Sequence, residues 1–210
     1  MFEIVKSGGW LMLPIIISSI VALAIIGERL WALQKKKVIP KHLVAQIWHW
    51  HSKGQLADDQ ITQIRKGSPL GRVLAAGLIH TRSTREVMKE SIEESGRHEV
   101  HEMERYLNSL GTVAAITPLL GLLGTVIGMI KVFSVITTEG VGNPAVLSGG
   151  ISEALITTAA GLSVAIPSLM FYRYLRGRVE ELVIFMEQES IKLVEVIHGE
   201  RKNETPEKGR

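Results

Sequence analysis

The chain of 210 residues contains no cysteine. That excludes a disulfide framework, a thiolate metal site and a thiol nucleophile. Charge of a single sign is also missing. The formal net charge is +3, and no run of lysine and arginine interleaves with aromatic residues. A nucleic-acid face needs such a cluster, so nucleic acid is not an expected partner. The glycine-rich stretch Gly121 to Gly128 lacks the Gly-Lys-Ser/Thr ending of a phosphate loop. No nucleophile elbow and no hydrolase triad is visible either, so neither an enzyme nor a cofactor is expected. His98 and His101 stand three apart, and His49 and His51 form WHWH. A metal site usually needs three or four ligands, and neither pair has a companion pair nearby, so no metal is expected.

Long uncharged stretches dominate what remains. No residue between Lys6 and Glu28 is charged, and none between Arg105 and Lys131. A third stretch runs from Gly140 to Tyr172 with Glu153 as its only charge. About 20 mostly apolar residues suffice for a helix to cross the hydrocarbon core. The reading is an all-α integral membrane protein with three spans. The first stretch is too long for a signal peptide and has no small-x-small cleavage pattern before Glu28, so it reads as a retained anchor.

Residues 1–9 form an outer N-terminal segment, and 10–30 form span 1, with Trp10 and Trp31 as interfacial anchors. Residues 31–106 form a polar helical region with short amphipathic helices near Leu43–Trp50 and Leu70–Ile79. From Thr84 the pattern becomes helical and is expected to run without a break into span 2, residues 107–136. A turn-rich connection follows at 137–150. Span 3 is 151–173. It continues as a helix over 174–200, where Leu175, Val179, Leu182, Met186, Leu193 and Ile197 recur at helical spacing. The tail 201–210 is expected to be disordered. All 24 lysines and arginines except Lys6 and Lys131 fall in the middle region and the C-terminal part. The positive-inside rule therefore places those parts in the cytoplasm and the N-terminus outside. Lys131 is expected to snorkel outward.

Span 3 has a small, weakly polar face with Glu153, Thr157, Ala160, Gly161, Val164 and Ser168. Leu155, Ala159, Leu162, Ile166 and Leu169 lie opposite, with Thr158 between the two faces. In span 2, Ala114, Thr117, Gly121, Gly124, Thr125 and Gly128 share one side. Two readings of these faces stay open. Gly124-x-x-x-Gly128 lets helices approach closely, so the faces can serve tight packing. They can also line a shared cavity, where threonine hydroxyls orient protons and water. Glu153 has two readings as well. In mid-membrane it is costly and functional; at the outer interface it is only an anchor. A carboxyl held in hydrocarbon is neutral at rest and ionisable on rearrangement, which suits a proton relay. Pro118 and Pro167 interrupt their spans and can kink them. Glu28 and Arg29 form an expected ion pair at the inner end of span 1.

TPLLGLLGTVIGMIKVF (Thr117 to Phe133) and ISEALITTAAGLSVAIP (Ile151 to Pro167) resemble the two signature segments of the MotA/TolQ/ExbB proton-channel family. GERLW (Gly27 to Trp31) resembles the inner end of its first helix. Length, three spans and an outward N-terminus match the ExbB and TolQ branches, ExbB most closely, and not the longer, four-span MotA branch. The short N-terminus departs from ExbB proteins that carry a long periplasmic extension. The resemblance implies a homopentameric ring of long helices in the bacterial inner membrane. An ExbD-like or TolR-like single-span partner would stand within it, with TonB-like or TolA-like proteins beyond. By motif position, Glu153, Thr125 and Thr158 match channel-lining residues, with Thr157 beside them. Gly121, Gly124, Gly128, Gly161, Pro118 and Pro167 fall to helix packing or partner contact. Besides the motor subunit, a passive membrane scaffold and a small-molecule transporter are weighed. The transporter lacks internal repeats and broken-helix sites.

Overall fold

The computed structural model describes residues 8–53, 56–81, 83–140 and 144–198. Most of the expected outer segment 1–9 and all of the tail 201–210 lie outside the described residues. Among the described residues the chain is all helical. The elements are α1 (Met12–Ala32), α2 (Lys35–Val38), α3 (Leu43–Ser52), α4 (Asp58–Gly67), α5 (Pro69–Ile79), α6 (Arg85–Glu104), α7 (Leu107–Glu139) and α8 (Pro144–Ile197). They divide into two units. The first draws on Met1–Arg29 and Tyr106–Leu175, the second on Leu30–Arg105 and Arg176–Arg210.

The first unit holds α1, α7 and the first part of α8. Its outward faces are apolar: Leu13, Ile20 and Leu23 on α1, Leu119, Val126 and Ile130 on α7, and Leu155, Ile166 and Met170 on α8 are all exposed. In water such a surface is an association liability. In lipid it is the required one, because a helix satisfies its own backbone and offers only apolar side chains to the hydrocarbon. Three helical stretches are long and apolar enough to cross a membrane: Met12–Ala32, one within Arg85–Thr138 and one within Leu147–Ile197. This agrees with the three spans expected from the sequence.

The expectation of one unbroken helix from Thr84 through span 2 is corrected. α6 ends at Glu104 and α7 begins at Leu107. Between them Tyr106 takes φ 65, a left-handed conformation through which a right-handed helix cannot pass. The Arg105 N–H closes α6 onto the Glu102 carbonyl, and the Leu110 N–H opens α7 on the Tyr106 carbonyl at 3.0 Å. The Arg29 guanidinium lies 5.6 Å from the centre of the Tyr106 ring, a cation–π distance. The connection at 137–150 is also shorter than expected: α7 runs to Glu139, and α8 already begins at Pro144. Proline at the first helical position lacks only an N–H that would have no partner there. Glu28 and Arg29 pair as expected, with Arg29 Nη2 donating to Glu28 Oε1 at 2.6 Å.

The second unit is built around α5. Leu70, Val73, Leu74, Ala75 and Leu78 are buried on it, and a helix buried nearly all round belongs in a core. Its start is specified locally. Pro69 follows the N-cap Ser68, whose Oγ accepts from the Gly71 N–H at 3.0 Å. A side chain at Gly71 would strike the Ile64 carbonyl at the end of α4, so only glycine lets α4 and α5 cross there. Glu99 on α6 is buried and receives a two-pronged guanidinium from Arg72 on α5, at 2.5 Å and 2.6 Å.

Candidate functional site

The site is assembled where α7 and α8 meet in the first unit. Their small residues lie against one another. A Cβ added at Gly124 would stand 2.6 Å from both Cβ and Oγ1 of Thr157. One at Gly128 would stand 2.9 Å from Ala154 Cβ and from the Gly150 carbonyl oxygen. One at Gly161 would stand 2.7 Å from the Thr117 carbonyl oxygen, and one at Gly121 would meet the Thr158 backbone at 3.0 Å. Within this chain the two small faces therefore meet each other rather than lining a cavity between them. The outward surfaces of both helices carry the bulky residues.

The hydroxyls divide by partner. Thr157 is buried, and its Oγ1 donates to the Glu153 carbonyl one turn back. Thr125 is half-buried and donates to the Leu122 carbonyl of its own helix at 2.6 Å. Thr158 differs: its Oγ1 reaches across to the Gly121 carbonyl of α7 at 3.0 Å and also lies 3.2 Å from the Ala154 carbonyl. Thr117 and Ser168 close onto Val113 at 2.5 Å and Val164 at 2.7 Å. Binding back to the preceding turn is the usual way for a hydroxyl to be carried within a helix. Pro118 is half-buried and Pro167 exposed, and the helix continues through each.

Glu153 is not alone. Lys131 Nζ donates to Glu153 Oε1 at 2.7 Å and Oε2 at 2.9 Å. The Lys131 side chain is 52% exposed and that of Glu153 22%. Lys131 was expected to snorkel outward; instead it turns to the acid. Gly9, at φ +69, packs its backbone against Glu153 Oε1, where a Cβ would collide. Gly9 immediately precedes the first turn of α1. Glu153 therefore packs against the approach to α1. Thr157 and Thr158 lie one turn further along α8. The small-residue contacts already carried a signal for the missed pair. Gly128 opposite Ala154 and Gly150 sets an antiparallel register that brings residue 131 beside residues 150–153.

The remaining features are separate. Among the described residues no group of three or more His, Cys, Asp or Glu side chains could hold a metal ion. The second unit holds a groove of about 770 Å³ between α6 and the last turns of α8. Val73, Ile92 and Met186 contribute apolar surface to it, and Arg85, Lys89 and Glu187 contribute charge. Ser190 lines the same groove, and its Oγ is buried without a hydrogen-bond partner.

Comparison with known proteins bears on the same segments. A sequence model of the MotA/TolQ/ExbB proton channel family matches residues 65–188. A biopolymer transport protein, ExbB-like 1, of Synechocystis is 34% identical over 171 residues, covering 80% of this chain and 67% of that protein. Biopolymer transport protein ExbB of Aquifex aeolicus is 35% identical over 127 residues, covering 60% of this chain and 80% of its own. The Tol-Pal system protein TolQ of Haemophilus influenzae is 38% identical over 84 residues, 40% of this chain and 37% of that one.

Proposed function

Because this chain belongs to the MotA/TolQ/ExbB proton channel family, we propose that it is the ring-forming inner-membrane subunit of a motor driven by the proton-motive force. The family is one of membrane channel subunits, not of enzymes. In the finer reading the chain is ExbB-like. A homopentamer encloses an ExbD-like single-span partner and, through a TonB-like protein, energises transport across the outer membrane. The N-terminus and the connection after α7 face the periplasm, and the second unit faces the cytoplasm. A TolQ-like role in envelope maintenance is the second reading, favoured by the match to TolQ of Haemophilus influenzae.

The observation that carries the proposal is Glu153. It is an acid within a largely apolar hairpin, half-buried beside Gly9 and Lys131, with Thr157 and Thr158 one turn further along α8. At the outer mouth of a span, such a carboxyl takes up protons from the side where they are abundant. Thr125 and Thr158 extend polar character inward. One charge crossing the membrane potential releases about 2.3 kcal/mol per 100 mV, so a few protons per cycle supply the work of a helix rotation or tilt. A closed ring also keeps the polar positions away from lipid.

The test is proton flux into liposomes holding the chain with its single-span partner, wild type against Glu153→Gln. Loss of flux with the complex intact by size is expected. Equal flux would remove Glu153 from the pathway and leave a passive scaffold as the better account.

A further inference from the structure

Both carboxylate oxygens of Glu153 are held by one ammonium group, at 2.7 Å and 2.9 Å. The three parts of the cluster come from three elements: Glu153 from α8, Lys131 from α7, and the Gly9 backbone from the approach to α1. No other titratable side chain faces the carboxyl among the contacts of the described residues. A carboxylate is the kind of oxygen ligand that hard metal cations seek. Here the cation position is already filled, by a group tethered to the neighbouring helix. Tethering gives that ammonium a high effective concentration at the acid.

We propose that Lys131 is the ion-specificity residue of this site, a built-in competitor that keeps monovalent metal cations off Glu153 while leaving it open to protons. The inference rests on the reading of Glu153 as a proton acceptor at the outer mouth. The discrimination follows from bonding. A proton forms a covalent O–H bond with the carboxylate and abolishes the charge that holds the ammonium. Lys131, already half-exposed, is then free to swing away. A sodium ion forms no such bond. It only exchanges one electrostatic partner for another, and it must break two charge-assisted hydrogen bonds to do so.

The experiment uses the chain co-purified with its single-span partner, in wild-type, Lys131→Gln, Lys131→Arg and Glu153→Gln forms. Proton flux into liposomes is measured with sodium or choline as the outer cation at matched ionic strength. Wild type and Lys131→Arg are expected to conduct equally in both salts, whereas Lys131→Gln loses flux several-fold in sodium. The second measurement does not depend on flux. Sodium should raise the melting temperature of the Lys131→Gln complex above its value in choline, because a ligand that binds the folded state stabilises it. It should not do so for wild type or for Lys131→Gln combined with Glu153→Gln. Sodium-insensitive flux and melting in Lys131→Gln would overturn the proposal, as would sodium-sensitive flux in wild type. If Glu153→Gln conducts like wild type while Lys131→Gln still gains sodium-dependent stability, the competition stands and the pathway reading falls.

Discussion

Thr157 fills the space that a side chain at Gly124 would need: its Cβ and Oγ1 both lie 2.6 Å from where that Cβ would be. The hairpin of α7 and α8 is therefore closed at backbone distance, and its tolerance for added volume is low. Gly124→Ala is expected to destabilise it by about 1–3 kcal/mol, the usual range for an overpacked site. Thermal unfolding of the purified protein in detergent measures this. Adding Thr157→Gly should recover part of the loss, whereas Thr157→Ser, which keeps the offending Cβ, should not. Gly27→Ala serves as control, because nothing lies within 4 Å of its Cβ position.

Thr158 and Thr125 are both threonines of the hairpin, but they are not equivalent. Thr158 bonds across to Gly121, and Thr125 only to its own helix. Thr158→Val should weaken the hairpin by about 0.6 kcal/mol, with an upper bound near 1.7, as for other interhelical bonds in membranes. Thr125→Val should leave its stability nearly unchanged. A larger effect at Thr125, in the same unfolding assay, would contradict the partner assignment.

In the second unit, Arg72 carries a guanidinium whose pKa is raised above its ordinary value, first by the hydrogen bonds to Glu99, with burial opposing and the Glu99 charge adding to the rise. A folded-state value above the unfolded one contributes stability that is fully present below the unfolded pKa. It is lost only as pH rises through the folded pKa. For arginine that window lies beyond any working pH, so unfolding between neutral and moderately alkaline pH should show no loss from this group. Removing the group is another matter. Glu99 is 7% exposed and would be left without its partner, while Arg72 is 42% exposed and screened. Arg72→Met is therefore expected to cost about 1–2 kcal/mol, less than a fully buried pair. Arg72→Lys should rescue little, since a lysine cannot reproduce the two-pronged contact.

Ser190→Ala should go the other way. Its Oγ is buried without a partner, and removing an unsatisfied buried hydroxyl gains about 1 kcal/mol or is neutral. A marked loss of melting temperature would show that the hydroxyl is bonded in the folded protein.

These particulars also show which features were legible from sequence. The three spans could be read directly, because hydrocarbon demands long uncharged runs and little else produces them. The helix expected near Leu70–Ile79 was legible as well, and α5 begins only one residue earlier, at Pro69. The interruption at Tyr106 was not: a tyrosine in the left-handed region carries no composition signal, unlike the glycine that usually marks such a place. The early start of α8 was hidden by the Gly-Asn-Pro run, which reads as a turn although proline is also a good first helical residue. Lys131 and Glu153 are separated by 22 positions, and their meeting follows only from the hairpin register. That register was latent in the spacing of the small residues and became readable only once α7 and α8 were known to be direct neighbours.

Six hydroxyls of the hairpin share a polarity. Thr117, Thr125, Thr157, Thr158, Ser163 and Ser168 each donate to a main-chain carbonyl. With their hydrogens so committed, what they offer their surroundings is lone pairs. A hydroxyl in that state can give its hydrogen to another group only after turning away from the carbonyl. Each of these hydroxyls is thus an acceptor as it stands, and becomes a donor to anything else only by rotation about a single bond.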